Sequence, residues 1–183
     1  TGSRGLHWLE PHVEIETPQG RVGYGPLDPT DVPTLFDGGT HAKCIGVVDQ
    51  HPWLKRQTRV TFARCGIVDP LSLKDYENTG GLKGLRRASE LGPAATIATV
   101  TKSGLRGRGG AGFPTGIKWK TAADASATRK YIVCNADEGD SGTFADRMIM
   151  EGDPFALIEG MAIAGFAVGA TKGYVYSRSE YPH

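Results

Sequence analysis

Residues 104–120 read GLRGRGGAGFPTGIKWK, and the reading of fold and function turns on them. Glycines stand at 104, 107, 109, 110, 112 and 116, with arginine at 106 and 108, lysine at 118 and 120, and a single Phe113-Pro114 step. Glycine lets a backbone take positive φ and approach a ligand with no Cβ in the way. Closely spaced backbone N–H groups in such a turn form an anion-binding concavity. With four cations beside it, the stretch reads as a loop for a phosphate-bearing cofactor, in preference to a bare glycine-rich surface turn.

The type of loop follows from its surroundings. Gly107, Gly109 and Gly112 fit G-x-G-x-x-G, but the dinucleotide fingerprint must follow a strand and open a helix. Residues 96–103 read as helix, so an ordinary Rossmann site is not expected. Gly107 and Gly112 also have the P-loop separation, yet Phe113-Pro114 stands where Lys-Ser/Thr is required. At Gly109 a β-branched side chain is expected to resist positive φ and to block close approach.

Downstream, Pro114 suits the first position of a helix running to about residue 124. Residues 131–134 (YIVC) read as a strand, 135–142 (NADEGDSG) as an acidic turn, and 145–150 as one or two helical turns. Asp153-Pro154 opens the longest helix, to about residue 170, with Gly160, Gly165 and Gly169 allowing close packing. Residues 174–177 return as a strand. Strand, helix, strand is a βαβ unit, hence parallel strands and a right-handed crossover.

In open parallel sheets, ligands bind beyond the carboxyl ends of the strands. That places Asn135, Asp137, Glu138 and Asp140 at a second constellation. An Asn side chain offers donor and acceptor, which suits a flavin edge or ribityl chain. Carboxylates suit sugar hydroxyls and amide N–H groups. An acidic turn can also simply cap the next helix. For Asp140 the two readings stand level; for Asn135 and Glu138 ligand contact is favoured.

Upstream, Ser72 with Asp75 makes a capping-box-like start to a run of short helices over 72–103, interrupted at Gly80-Gly81 and Gly92-Pro93. Residues 39–71 read as an extended linker, with 59–63 (RVTFA) a candidate strand. Residues 12–17 (HVEIET) alternate and return at 21–24 around Pro18-Gln19-Gly20, a hairpin signal. Asp28-Pro29-Thr30-Asp31 opens a short helix over 32–36, and Gly38-Gly39 ends it.

The 183 residues suit one domain, or one domain plus a remnant. The 26 glycines are about twice the average usage of roughly 7%. A net charge of +1 with no basic stripe argues against a nucleic-acid face and for a small phosphorylated ligand. The first residues lack the apolar core of a signal peptide, and no run is long enough for a membrane span. Cys44, Cys65 and Cys134 form no metal or disulfide framework. A reducing, cytoplasmic compartment is expected. With no initial Met and a stop at SRSEYPH, just past a strand signal, the chain is expected to be part of a longer subunit.

GLRGRGGAGFPTGIKWK, followed by YIVCNADEGDSGTFADRMIMEGDP, the long helix and GYVYSRSEYP, resembles the family of flavin-binding NADH-dehydrogenase subunits of the complex I 51 kDa type. The resemblance covers roughly residues 71–183. Members are the FMN subunit of respiratory complex I, the diaphorase subunit of NAD-reducing hydrogenases and the beta subunit of NAD-dependent molybdenum formate dehydrogenases. GSRGLHWLEPHVEIETPQGRVGYGP and CNADEGDSGTFADRMIMEGDPFALIEGMAIAG look most like the last.

The resemblance implies an α/β fold: a Rossmann-like parallel sheet of the flavin-subunit type over 72–183, after a linker at 39–71 and a thioredoxin-like ferredoxin remnant at 1–38. It implies hydride exchange between NAD(H) and FMN, with electrons passed to or from iron–sulfur clusters. Gly107, Arg108, Gly109, Gly110, Lys118, Asn135, Asp137 and Glu138 would contact FMN, and Phe113 and Asp140 the NADH. No side chain need act as acid or base, because the hydride chemistry is the cofactor's. In the remnant, cluster cysteines would stand where Ser3 and His7 do, so no 2Fe–2S cluster is expected there. The family's second glycine-rich loop and its four-cysteine 4Fe–4S motif would follow His183. Expected partners are a molybdenum catalytic subunit and a 2Fe–2S ferredoxin-like subunit. The alternatives are the equivalent hydrogenase or NADH:quinone oxidoreductase subunit, and a non-catalytic assembly piece.

Overall fold

Alternation in HVEIET produces a strand, Val13–Thr17 (β1), and the chain returns as Gly20–Tyr24 (β2) in register from Val13↔Tyr24 to Thr17↔Gly20. The Thr17 hydroxyl closes the turn, donating to the Gly20 carbonyl at 2.6 Å and accepting from the Gln19 N–H at 3.3 Å. The computed structural model describes residues 4–36 and 41–181. The chain divides into two units, one ending at Ala63 and one beginning at Arg64.

In the smaller unit a third antiparallel strand, Cys44–Val47 (β3), pairs with β2. Only four residues long, with Gly46 inside it at φ +78°, it carries too little alternation to stand out in a segment read as extended. Residues 59–63, expected as a strand, form no strand; 60–63 are bends and turns. The short helix is a 3-10 helix, Pro29–Phe36; the Asp31 carboxylate accepts from the Asp28 N–H at 2.7 Å. Gly38-Gly39 and Ser3, singled out above, lie outside the described residues. Leu6, Val48 and Leu54 form the core, with Leu9 and Ile45 against it. Gly23 permits the sheet to close on that core: a Cβ there would stand 2.8 Å from Ile45 Cδ1 and Val48 Cγ2. Arg4 is buried and pairs with Glu14 at 3.1 Å and Asp49 at 2.7 Å. His7 pairs with Glu10 at 3.2 Å.

The larger unit carries Leu73–Asn78 (α1), Lys83–Leu91 (α2), Pro93–Ser103 (α3), Thr115–Asp124 (α4), Tyr131–Ala136 (β4), Ala145–Gly152 (α5), Pro154–Val168 (α6) and Lys172–Ser177 (β5). Ser72 Oγ caps α1 by accepting from the Asp75 N–H at 3.1 Å. The Asp75 carboxylate instead accepts from the Asp69 N–H at 2.7 Å, so the side chain too short for a capping box fixes the preceding turn.

β4 and β5 are parallel, in register from Tyr131↔Lys172 to Ala136↔Ser177, and α6 is the crossover between them. The fold is thus mixed α/β with a small parallel sheet, as expected. α6 touches every helix from α2 to α5 and both strands, which is why its sequence is apolar nearly all round. Its one carboxylate, Glu159, is buried. It accepts from the Leu82 N–H at 2.7 Å, the Leu85 N–H at 2.8 Å and the Tyr76 hydroxyl. These backbone groups are free donors at the start of α2, which no local side chain caps. Burial pushes the Glu159 carboxyl up, but the Tyr76 hydroxyl and the backbone donors outweigh it and hold the group below the usual carboxylate range. Burial, with Glu159 as acceptor, pushes the Tyr76 hydroxyl well above the usual tyrosine range. Arg64 lies 4.7 Å from the centre of the Tyr76 ring and pairs with Asp153 at 2.8 Å.

Candidate functional site: a glycine loop and an acidic turn

α3 stops at Gly104, which takes the left-handed conformation at φ +70°, and α4 starts at Thr115. Between them the chain folds back on itself. Arg106 and Pro114 form an antiparallel bridge. The Gly107 N–H donates to the Phe113 carbonyl, and the Thr115 N–H to the Leu105 carbonyl, both at 2.9 Å. The Arg106 guanidinium donates to the Gly112 carbonyl at 2.9 Å. Pro114, read as the first helical residue, is the N-cap instead.

The glycines divide by cause. Gly110 (φ +94°) and Gly112 (φ +59°) need the left-handed region. Gly109 has no positive φ, so the strain expected there belongs to Gly110 and Gly112. A Cβ on Gly109, Gly110 or Gly112 would meet nothing within 4 Å, and on Gly107 only Phe113 backbone at 3.8 Å. Packing against the described residues therefore does not explain the bare tip. Gly116 is the opposite case: a Cβ there would stand 2.6 Å from Thr101 Cα, so this glycine lets α4 cross α3.

The four cations divide as well. Arg106 is engaged by the loop's own carbonyl, and Lys120 pairs with Asp124 at 2.7 Å. Among the described residues the side chains of Arg108 and Lys118 have no hydrogen-bond or ion-pair partner. The first N–H groups of α4 after Thr115 also lack an intrahelical acceptor, and such a helix start favours an anion. Phe113 is half exposed beside them.

Past β4, Asn135 Oδ1 accepts from the Asp137 N–H at 3.1 Å and turns the chain. Glu138 holds a left-handed conformation, φ +48°, rare for a non-glycine residue. Its carboxylate accepts from the N–H groups of Asp146 at 2.8 Å and Arg147 at 3.1 Å, so it caps α5. The Tyr181 hydroxyl donates to the same carboxylate at 2.9 Å, and Arg178 donates to the Glu138 carbonyl at 2.8 Å. Burial works to raise the Glu138 carboxyl; the Asp146 and Arg147 N–H groups and Tyr181 outweigh it, leaving it below the usual range. Burial, and then the Glu138 charge, push the Asp146 carboxyl up. The acidic turn does cap the next helix, and the capping side chain is Glu138. Asp140 is exposed and Asp137 half-buried.

α6 touches both α4 and β4, so one helix carries the elements that bear the loop and the turn. Among the described residues no hydrogen bond joins the two groups directly. An open glycine surface, two unpaired cations and a helix start fit a phosphate-bearing group; the exposed polar turn fits hydroxyl and amide groups. Sequence reasoning missed Glu159, Arg178 and Tyr181, whose partners are distant in the chain. Among the described residues, no group of His, Cys, Asp and Glu side chains could hold a metal ion, and no helix is long and apolar enough to cross a membrane.

Residues 100–183 match the model of the Nuo51 FMN-binding domain family. The NADP-reducing hydrogenase subunit HndC of Solidesulfovibrio fructosivorans is 53% identical, over 70% of this chain and 26% of its own length. An NADH-quinone oxidoreductase subunit of Rhizobium meliloti is 54% identical over 67% and 29%. The NAD-reducing hydrogenase HoxS subunit alpha of Cupriavidus necator is 52% identical over 87% and 33%. The chain thus spans about a quarter to a third of these relatives. Among solved structures, the NAD+-reducing [NiFe]-hydrogenase in its air-oxidized state is similar with a TM-score of 0.54 and 28% identity, covering 87% of this chain and 27% of that one.

Proposed function

We propose that this chain, whose residues 100–183 match the Nuo51 FMN-binding domain family, supplies one wall of the FMN and NAD(H) cleft in a diaphorase subunit. When bound, FMN accepts hydride from NADH, or returns it to NAD+, and exchanges single electrons with iron–sulfur clusters. The chain's residues bind and orient. Gly107, Gly109 and Gly110 offer bare backbone, Arg108 and Lys118 offer charge to the phosphate, and the turn meets the flavin through the side chains of Asn135 and Asp137 and the backbone at Glu138. Phe113 and Asp140 meet the dinucleotide. The observation that carries this reading is the loop tip: among the described residues nothing packs against Gly109, which has no positive φ, and the side chains of Arg108 and Lys118 have no partner.

The surrounding complex is a finer proposal. The phrases quoted above support the beta subunit of a cytoplasmic NAD-dependent molybdenum formate dehydrogenase. Its partners would be a molybdenum catalytic subunit and a 2Fe–2S ferredoxin-like subunit, with a 4Fe–4S cluster in the remaining length. The hydrogenase subunit is the second reading, favoured by the HoxS alpha match, which runs through both units of this chain. Titrating the chain with FMN and following quenching of flavin fluorescence tests the cleft. Saturable binding that falls at least tenfold on replacing Arg108 and Lys118 by Gln, as loss of charge-assisted hydrogen bonds predicts, supports it; equal binding by the variant rejects it. Assaying NAD+ reduction by formate and by hydrogen in the complex purified with this subunit separates the two finer readings.

A further inference from the structure

The turn after β4 depends on a segment outside it. Glu138 sits in a left-handed conformation that a glutamate rarely adopts unaided. Its carbonyl is held by Arg178 at 2.8 Å and its carboxylate by Tyr181 at 2.9 Å. These two side chains follow β5, the neighbouring parallel strand, 40 and 43 residues further along the chain. They also brace each other: Arg178 lies 5.4 Å from the centre of the Tyr181 ring and pairs with Glu180 at 2.9 Å. From α5, Arg147 lies 5.6 Å from the same ring, and its N–H is one of those that Glu138 caps.

We propose that Arg178 and Tyr181 are positioning residues for the flavin turn, and that they act through Glu138, whose carboxylate is an anchor and not a ligand contact. The inference rests on the cleft reading above. Both oxygens of the carboxylate are already engaged, one by the Asp146 N–H and the other by the Arg147 N–H and Tyr181. What the turn can offer a cofactor is its backbone after Glu138 and the side chains of Asn135, Asp137 and Asp140. Their placement then follows from how Glu138 is held. The sheet register sets the arrangement: Ala136 pairs with Ser177, so the chain leaving β4 and the chain leaving β5 emerge side by side and can be tied together.

The test is a double-mutant cycle on the chain with Tyr181→Phe, Glu138→Gln and both changes. It is read by FMN affinity, by the induced visible circular dichroism of the bound flavin at saturation, and by amide exchange at Asp146 and Arg147. Each single change should weaken FMN roughly tenfold, the loss expected for a hydrogen bond to a charged group. The double variant should be no worse than Glu138→Gln alone, because the two act in series. Induced dichroism should fall and exchange at Asp146 and Arg147 should quicken in all three, with α6 amides unchanged as the check on folding. Additive losses, or a Tyr181→Phe protein that binds FMN and shows dichroism like the parent, overturn the inference and leave the cleft reading standing. A parent chain that binds no FMN overturns the cleft reading, and the inference with it.

Discussion

At the scale of single residues, the glycines show how one amino acid serves unrelated ends within a single loop. Gly116 makes room for Thr101, whereas Gly109 makes room for none of the described residues. Gly116→Ala should therefore destabilise the fold by about 2 kcal/mol, as overpacking does, while Gly109→Ala should leave the denaturation midpoint unchanged and weaken FMN. Urea unfolding followed by far-UV circular dichroism, beside an FMN titration, checks both. Glu159 is the residue whose loss should cost most. A Gln there presents an amide N–H₂ toward the donors of Leu82, Leu85 and Tyr76, leaving buried groups unmatched. Glu159→Gln should lower stability by about 3 kcal/mol, measured by the same unfolding curves. Nothing in the sequence marks Glu159 beyond its interrupting an apolar run. Its donors lie 74 to 83 residues earlier, and no local pattern encodes a partner at that range.

At the scale of elements, two helix starts are held by carboxylates from elsewhere in the chain: α2 by Glu159 and α5 by Glu138. Both carboxyls sit below their ordinary range. A depressed carboxyl adds stability above the unfolded-state value, and that contribution is lost as pH falls through the lower folded value. Stability should thus be flat from neutral pH down to the ordinary carboxylate range and fall steeply below it. In Glu138→Gln the acid fall should be shallower, because one of the linked groups is gone. Thermal melts across an acid pH series check this. The elements themselves were largely legible. The hairpin followed from alternation around Pro18-Gln19, and the βαβ unit from two apolar runs flanking a Pro-initiated helix. β3 was not, because so short a run around a left-handed Gly46 carries no period. The loop was legible as a ligand loop from composition alone, but not which cations were free, since that depends on Gly112 and Asp124 as partners.

At the scale of the whole molecule, α6 organises the larger unit, and the candidate site is what its neighbours expose at their ends. The two-stranded sheet has one face on α6, where Ile132 nears Gly165 and Gly173 nears Met161. On the other, register aligns Tyr131 with Lys172, Val133 with Tyr174 and Asn135 with Tyr176. All six of these are exposed, Val133 by 63% and Tyr176 by 60%. Parallel strands are ordinarily covered on both faces, and a two-stranded sheet is marginal alone. β5 is also exposed along its whole length. An uncovered edge with aromatic side chains is a template for another strand. In handling, this chain should behave as a sticky surface: sedimentation velocity should show association growing with concentration. Tyr174→Lys should keep it monomeric while leaving the glycine loop and the neighbour of Asn135 intact, making that variant the form in which small-ligand binding can be measured cleanly.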